Sequence, residues 1–287
     1  MPENSELSEQ LERTSCPLCE SDALASKQYS FSPYRVVQCR DCGLWYLSPR
    51  LIESAMMALY SDDTYFEGSN GLSEGYSDYA LQEKPLRATF RRFLSRMSDM
   101  GITGGSLLEV GCGYGYLLQE ARPYFDRLVA TDFSSGAVEK AARKADKVYL
   151  GGIDAVPQEE RFDCIIAVEV IEHIYDPNRF IAHLKTMLKP GGWLVLATPD
   201  MGSWWRRVLG RRWPSFKLPE HVTYFDQRTL SALFEKQGFE SMRRIPSPHA
   251  FPLAVVMEKM GIRLSSGAGE ANIWIPDVVL SMAARLK

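Results

Sequence analysis

The chain holds 287 residues, enough for one large domain with attachments or for two domains at roughly 100–200 residues each. Its composition, 45% hydrophobic, 24% charged and 11% aromatic, is that of a globular protein and excludes wholesale disorder or a fibrous repeat. With 33 Lys and Arg against 36 Asp and Glu, the net charge is −3 and the pI near 5.9, so no overall field draws in nucleic acid.

In chain order, Met1 to Gln10 is polar and acidic and lacks the basic flank and apolar stretch of a secretory signal, which predicts a cytoplasmic protein. No apolar run approaches the ~18–20 residues that a membrane-spanning helix needs. Residues 1–50 read as a small module in which β-like runs at Tyr34–Gln38 and Leu44–Leu47 accompany two cysteine pairs, Cys16-Pro-Leu-Cys19 and Cys39-Arg-Asp-Cys42. The pairs are 19 residues apart, a spacing at which four thiolates converge on one tetrahedral Zn2+ and leave it no open position. The expectation is a structural, zinc-ribbon-like module in a reducing compartment, with Gly43 relieving the turn after the second pair. Only Lys27 and Arg35 are basic between the pairs, too few to make nucleic acid the expected partner.

Residues 51–105 read as a mainly helical linker or lid, broken by a Gly/Ser/Asn-rich loop at Gly68–Gly75. In residues 106–246, apolar runs at Leu107–Val110, Arg127–Thr131, Lys147–Leu150, Cys164–Val168 and Trp193–Ala197 alternate with helical patterns. Those patterns fall at Gly115–Arg122, Ser135–Lys144, Pro177–Leu188 and Gln227–Gln237, and Phe239–Ile245 is a further strand candidate. Short buried strands separated by helices predict an α/β fold, a parallel sheet with helices on both faces. Residues 247–287, rich in Pro, Met and aromatic residues, have the apolar spacing of one or two amphipathic helices and are expected to form a C-terminal helical extension.

The first of these strands runs into Gly111-Cys112-Gly113-Tyr114-Gly115 and then a helix. Alternate glycines let the backbone turn sharply and admit a ligand where a Cβ would collide. A dinucleotide-binding turn wants a small residue where Tyr116 stands, so the turn is not that of a dinucleotide site. Asp132 follows the second strand, 21 residues after Gly111, where a carboxylate can accept two ribose hydroxyls. Its competing reading is a helix-terminal carboxylate ahead of Ser134 and Ser135. Cys112 and Cys164 read as small apolar fillers.

Three further stretches follow in order: Ile153-Asp154-Ala155-Val156-Pro157, Phe162-Asp163-Cys164-Ile165-Ile166 leading into Glu169-Val170-Ile171-Glu172-His173, and Leu188-Lys189-Pro190-Gly191-Gly192. Together with the glycine turn and Asp132, they make the chain resemble class I S-adenosylmethionine-dependent methyltransferases from Ser106 to Ile245. The resemblance implies a Rossmann-like sheet and S-adenosylmethionine as cofactor. It also implies contacts of Glu109, Gly111, Cys112 and Gly113 with the methionine part, Asp132 with the ribose, Phe133 with one adenine face, and Ile153 and Asp154 with the adenine rim. Gly152 stands where many relatives carry an acidic residue for the adenine amino group, and Glu169 is expected at the cofactor or the substrate. The cysteine module, with Glu220-His221-Val222-Thr223-Tyr224-Phe225, is similar to zinc-containing sugar C-methyltransferases and enzymes of polysaccharide clusters. That likeness implies a small-molecule acceptor, a sugar nucleotide or other carbohydrate intermediate, anionic or lipid-linked.

Methyl transfer is an in-line displacement, so the protein supplies orientation and, for a protonated nucleophile, a base. His221 is the candidate base, with Glu220 orienting it or sharing the proton; the competing reading is a histidine that only ties down a loop. Glu172-His173 reads first as structure ahead of a helix start at Asp176-Pro177. Ser203 to Trp213 packs Trp204, Trp205, Trp213, Arg206, Arg207, Arg211 and Arg212 into one segment, suited to a phosphate-bearing acceptor, a membrane surface or a stacked base. The expectation is that its arginines meet an anionic group of the acceptor, against a surface helix with inward tryptophans and solvated arginines. Three alternatives keep the same motifs: an RNA acceptor, a quinone-type phenol with the apolar run at 251–257 lining its pocket, or cofactor binding without turnover.

Overall fold

The computed structural model describes residues 10–60, 82–253 and 272–287. The loop expected at Gly68–Gly75 and most of the run at 251–257 lie outside these residues. The N-terminal part contains β1 (Leu11–Glu12), β2 (Leu24–Phe31), β3 (Tyr34–Cys39), β4 (Trp45–Leu47), β5 (Arg50–Leu51), α1 (Glu53–Tyr60) and α2 (Glu83–Asp99). The alternating part contains β6 (Ser106–Val110), α3 (Tyr116–Ala121), β7 (Arg127–Asp132), α4 (Ser135–Ala141), β8 (Lys147–Leu150), β9 (Phe162–Val168), α5 (Pro177–Thr186), β10 (Leu188–Pro199) and α6 (Trp204–Leu209). The chain continues through β11 (Thr223–Tyr224), α7 (Gln227–Lys236), β12 (Glu240–Arg244), β13 (His249–Pro252), β14 (Asn272–Ile275) and β15 (Val279–Arg285).

The central sheet has seven strands in the order β12-β15-β10-β9-β6-β7-β8. From β10 through β8 every pairing is parallel, whereas β15 runs antiparallel to both β10 and β12. Successive residues of β6, β7, β9 and β10 are buried on opposite faces, which is why those strands read as unbroken apolar runs, whereas β8 at the sheet edge is half-exposed. Leu107, Cys164 and Val195 pack with Phe93 and Leu94 of α2 and Leu117 of α3. Leu108, Ile165 and Leu194 pack with Ile181 and Leu184 of α5 and Leu233 and Phe234 of α7. The helix starts follow capping chemistry: Ser134 accepts from Ala137 N, Asp176 from Arg179 N ahead of Pro177, and Asp226 forms a capping box with Thr229. Ser134 thus does the capping that was the competing role for Asp132.

The expected C-terminal helical extension is corrected. Among the described residues of 247–287, β13 and β14 form a hairpin and β15 enters the central sheet between β10 and β12. Val279-Leu280-Ser281-Met282-Ala283-Ala284 holds no glycine or proline, and its Leu, Met and Ala residues favour helix as readily as strand. Burial between two neighbours decides for the strand, with Leu280, Met282 and Ala284 on the α5–α7 face and Ala283 on the other.

The N-terminal module is also less separate than its composition suggests. Its sheet runs β11-β4-β3-β2, so the outermost strand comes from beyond residue 220, with Thr223 opposite Tyr46 and Tyr224 opposite Trp45. Asn178 Nδ2 of α5 donates to Pro17 O at 2.7 Å and Lys236 Nζ of α7 to Leu18 O at 2.8 Å. A seam of Trp45, Trp213, Val222 and Tyr224 closes the joint.

Candidate active site

The glycine turn stands between β6 and α3, with Gly111, Gly113 and Gly115 all at positive φ (72°, 50° and 71°). A Cβ on Gly111 would come 2.7 Å from Val170 Cγ2, and one on Gly115 would come 3.2 Å from Ala141, so both bareness and handedness are required here. Asp132, at the end of β7, accepts from Gly113 N at 2.8 Å through one oxygen and from Ser134 N at 2.9 Å through the other, which pins the turn to the second strand. Glu109 is buried beneath the turn with Oε2 unpartnered among the described residues. Burial, and next the charge of Asp132, push its carboxyl well above the ordinary range. Two carboxyls facing one crevice suit a ligand that brings positive charge, such as the ammonium and sulfonium groups of S-adenosylmethionine.

Phe133 is 63% exposed, and its ring lies where a Cβ on Gly152 would come to 2.9 Å, so the missing acidic side chain at 152 makes room for the aromatic one. Ile153 is buried beside it, but Asp154 turns its carboxylate to His183 Nδ1 at 3.4 Å and stays open to solvent. Cys112 is buried in the turn with its thiol pushed up by burial.

Beyond the ends of β9 and β10 lies a buried group of proton-carrying side chains. Glu169, at φ 55°, follows β9 directly. Its carboxyl and that of Glu172 each have an oxygen without a hydrogen-bond partner, while Glu172 Oε2 accepts from Thr198 Oγ1 at 3.0 Å. Burial raises both, Glu172 further because Glu169 adds its charge, so the two carboxyls do not ionise together. His173 and His221 meet edge to face with ring centroids 4.7 Å apart, and donor atoms of Glu172, His173 and His221 all lie within 4.8 Å of one another. Burial holds His173 neutral, down to about 4, and keeps His221 well below its ordinary value. Such a donor set can relay a proton or take a divalent cation.

His221, the candidate base, lies in this cluster, and the oxygen that meets its Nδ1 is the carbonyl of Ser215, at 3.0 Å, in place of Glu220. With Nδ1 donating to that carbonyl, Nε2 is left as the acceptor. Glu172 and His173, read first as structure, belong to the cluster. Tyr224, buried with its hydroxyl unpartnered, and His249 are two residues that sequence reasoning missed. His249 lines a small pocket with Thr89, Val168, Ala197, Ser247 and Ser281, and burial lowers it to about 4. It sits on β13, and Ser281 of β15, a strand the sequence did not disclose, lines the same pocket.

The cysteines converge as their spacing requires. Cys16 Sγ lies 3.4 Å from Cys42 Sγ and Cys19 Sγ 3.5 Å from Cys39 Sγ, with all four within 4.8 Å. Zn–S bonds of about 2.3 Å in a tetrahedron place sulfurs about 3.8 Å apart, so the set fits Zn2+ without rearrangement. A Cβ on Gly43 would collide with the Arg228 guanidinium of α7, a further tie between module and sheet. The arginine-tryptophan segment divides by face. Trp213 and Arg206 are buried, and Arg206 donates to Met201 O at 2.9 Å and to Tyr29 Oη at 3.1 Å, which corrects its expected contact with the acceptor.

A family model described as a methyltransferase domain matches residues 82–243. The ubiquinone biosynthesis O-methyltransferase of Bradyrhizobium diazoefficiens is 30% identical over 138 residues, which cover 46% of this chain and 51% of that protein. The chain thus spans about half the length of the curated relatives it matches. A SAM-dependent methyltransferase from Thermotoga maritima superposes with a TM-score of 0.54 at 17% identity, over 78% of this chain and 99% of its own. Magnesium protoporphyrin IX methyltransferase from Synechocystis, solved with bound SAH, superposes with a TM-score of 0.52 at 14% identity, over 82% and 100%. These structural likenesses carry the fold.

Proposed function

The chain belongs to the methyltransferase domain family, and on that premise we propose that it is a cytoplasmic S-adenosylmethionine-dependent enzyme that methylates a hydroxyl group of an uncharged small molecule. One observation carries the reading. Six buried side-chain polar atoms lack partners among the described residues, and five belong to Glu109, Thr131, Glu169, Glu172 and Tyr224, at the ends of β6, β7 and β9 or on the segment facing them. Folded proteins pair nearly all such atoms, so unpaired ones gathered at one edge of a sheet mark groups kept for a ligand.

When bound, S-adenosylmethionine would supply a cationic sulfonium whose methyl carbon is attacked in line by the acceptor oxygen, the C–S bond breaking to release S-adenosylhomocysteine. Glu109 and the Gly111–Gly113 backbone would hold its methionine part, Asp132 the ribose, and Phe133 and Ile153 the adenine. His221 Nε2 would take the acceptor proton, with Nδ1 fixed by Ser215 O and the Glu169–Glu172 carboxyl pair close by to stabilise the imidazolium. The four cysteines would hold a structural Zn2+ outside the reaction.

The cluster offers two neutral imidazoles and two carboxyls, with the Lys217 charge acting on it, a lining that favours a phenol or alcohol over a diphosphate-bearing sugar. A diphosphate calls for cations, and Arg206, the buried arginine of the aromatic segment, is committed to Met201 O and Tyr29 Oη. The relatives named for ubiquinone O-methylation lean the same way, whereas the cysteine module and the Glu220–His221 segment speak for a carbohydrate. Mass spectrometry of methyl-labelled S-adenosylmethionine incubated with hydroquinones, catechols and nucleotide sugars tests the choice. Label in a phenol supports the reading; label only in a nucleotide sugar overturns the acceptor class. No heat of binding with S-adenosylhomocysteine overturns the reading itself.

A further inference from the structure

We propose that the outer face of α6 and the turn after it dock on the surface of an anionic lipid bilayer. Trp204 and Val208, one turn apart on the helix, are 47% and 70% exposed, and the adjoining Leu209 is 39% exposed. Large apolar side chains displayed together on a short helix call for a covering phase. Trp204 stacks on Trp205 at 3.8 Å, and Trp205 Nε1 donates to Pro276 O at 2.8 Å, which fixes the helix to the connection between β14 and β15. The patch is therefore presented on a rigid support.

Charge decides what covers it. Residues 203–219 contain Arg206, Arg207, Arg211, Arg212 and Lys217 and no acidic residue, in a chain whose net charge is −3. Arg206 is turned inward, whereas Arg207, Arg211 and Arg212 are exposed around the apolar face. Tryptophan at the boundary, aliphatic side chains beyond it and arginines alongside match the interfacial layer of a membrane with acidic headgroups. A polynucleotide would use the arginines and the Trp204 ring but gives no role to Val208 and Leu209, so lipid fits the whole face. The patch does not depend on the acceptor or on catalysis.

The experiment is co-sedimentation of the full chain with vesicles of phosphatidylcholine alone or phosphatidylcholine with phosphatidylglycerol, with tryptophan emission recorded alongside. Binding to the anionic vesicles with a blue shift is expected, weakening with added salt. Arg207→Gln, Arg211→Gln and Arg212→Gln should each weaken it about fivefold, the equivalent of ~1 kcal/mol per basic residue at such a surface. Trp204→Ser combined with Val208→Ser should cost at least about tenfold, given the apolar area withdrawn. These positions are exposed, so circular dichroism should be unchanged. Absence of binding, vesicle binding indifferent to these substitutions, or tighter binding to single-stranded RNA than to the vesicles would each overturn the proposal.

Discussion

Replacing Glu172 by glutamine separates stability from catalysis at the buried cluster. The Glu172 carboxyl is nearly inaccessible, has one oxygen on Thr198 Oγ1 and the other unpartnered, and faces Glu169. A buried acceptor without a donor costs about 1–3 kcal/mol. In Glu172→Gln the amide oxygen keeps the Thr198 bond while the amide nitrogen presents a permanent donor toward Glu169 without the cost of holding a proton against solution, so a gain of that size is expected above the unfolded carboxyl pKa. At about 2–4 °C per kcal/mol for a protein of this size, melting should rise by roughly 2–12 °C. The gain has a pH signature. A carboxyl raised in the folded state keeps its proton where the unfolded chain has lost it, so it lowers stability as pH climbs above the unfolded value of about 4.3. Glutamine removes that slope, and the difference between variant and parent should widen from about pH 4 upward. Because the amide mimics the protonated acid, kcat should stay within about threefold of the parent, whereas Glu169→Gln, which removes an ionisable carboxyl beside the imidazoles, should lower it about 100-fold. Thermal melts from mildly acidic to mildly basic pH and initial rates read both. A destabilised Glu172→Gln protein, a pH-independent difference, or equal loss of turnover in the two variants would refute the assignment of one shared proton to the pair.

Gly111→Ala should cost about 1–2 kcal/mol for the left-handed backbone alone, with a further loss from the Val170 clash; adding Val170→Ala should recover the second part only, as melts of the single and double variants will read. Cys39→Ser should abolish stoichiometric zinc in metal analysis and alter the near-ultraviolet signal of the Trp45–Trp213–Tyr224 seam, while the Kd for S-adenosylhomocysteine stays within about twofold because the glycine turn lies on the other side of β9. His173 and His249, both held down to about 4 by burial, remain neutral in the folded protein and charge first in the unfolded one. Stability should therefore fall as pH drops below about 6.5 and level off near 4, a slope that His249→Gln makes shallower in denaturant titrations.

Most of the central sheet was legible because a strand buried on both faces leaves a plain mark, a short run of apolar residues closed by Gly, Pro or a capping residue. β8 has the predicted bounds, and β6, β7 and β9 depart from them by one or two residues at an end. The glycine turn and Asp132 were legible for a related reason, since positive φ and close backbone approach demand particular residues at fixed spacing. β15 was not, because Leu, Met, Ala and Ser declare no period, and its place is fixed only by the slot between β10 and β12. The pocket that His249 shares with Ser281 was lost with it. The proton-carrying cluster was half legible. His221 stood out as a histidine in an aromatic segment, but the group that orients it is a backbone carbonyl, and a carbonyl has no sequence signal.

The same limit hid the part that the cysteine module takes in the site. Read along the chain, Cys16 to Cys42 and Glu220-His221 are separate motifs, one structural and one chemical. In space, Val222 O accepts from Leu47 N at 2.9 Å and Val222 N donates to Glu172 O at 2.8 Å, so the residue after His221 is clamped between the module and the end of β9. The two residues of β11 contribute too few ladder bonds, at about 1 kcal/mol each, to order unaided the long excursion that carries the chain from β10 to α7. The buried ring seam and the converging cysteine turns beneath β4 supply the remainder. On the function proposed above, the four-cysteine site would lie outside the reaction and still govern it, by holding the strand that sets one imidazole against the carboxyl pair.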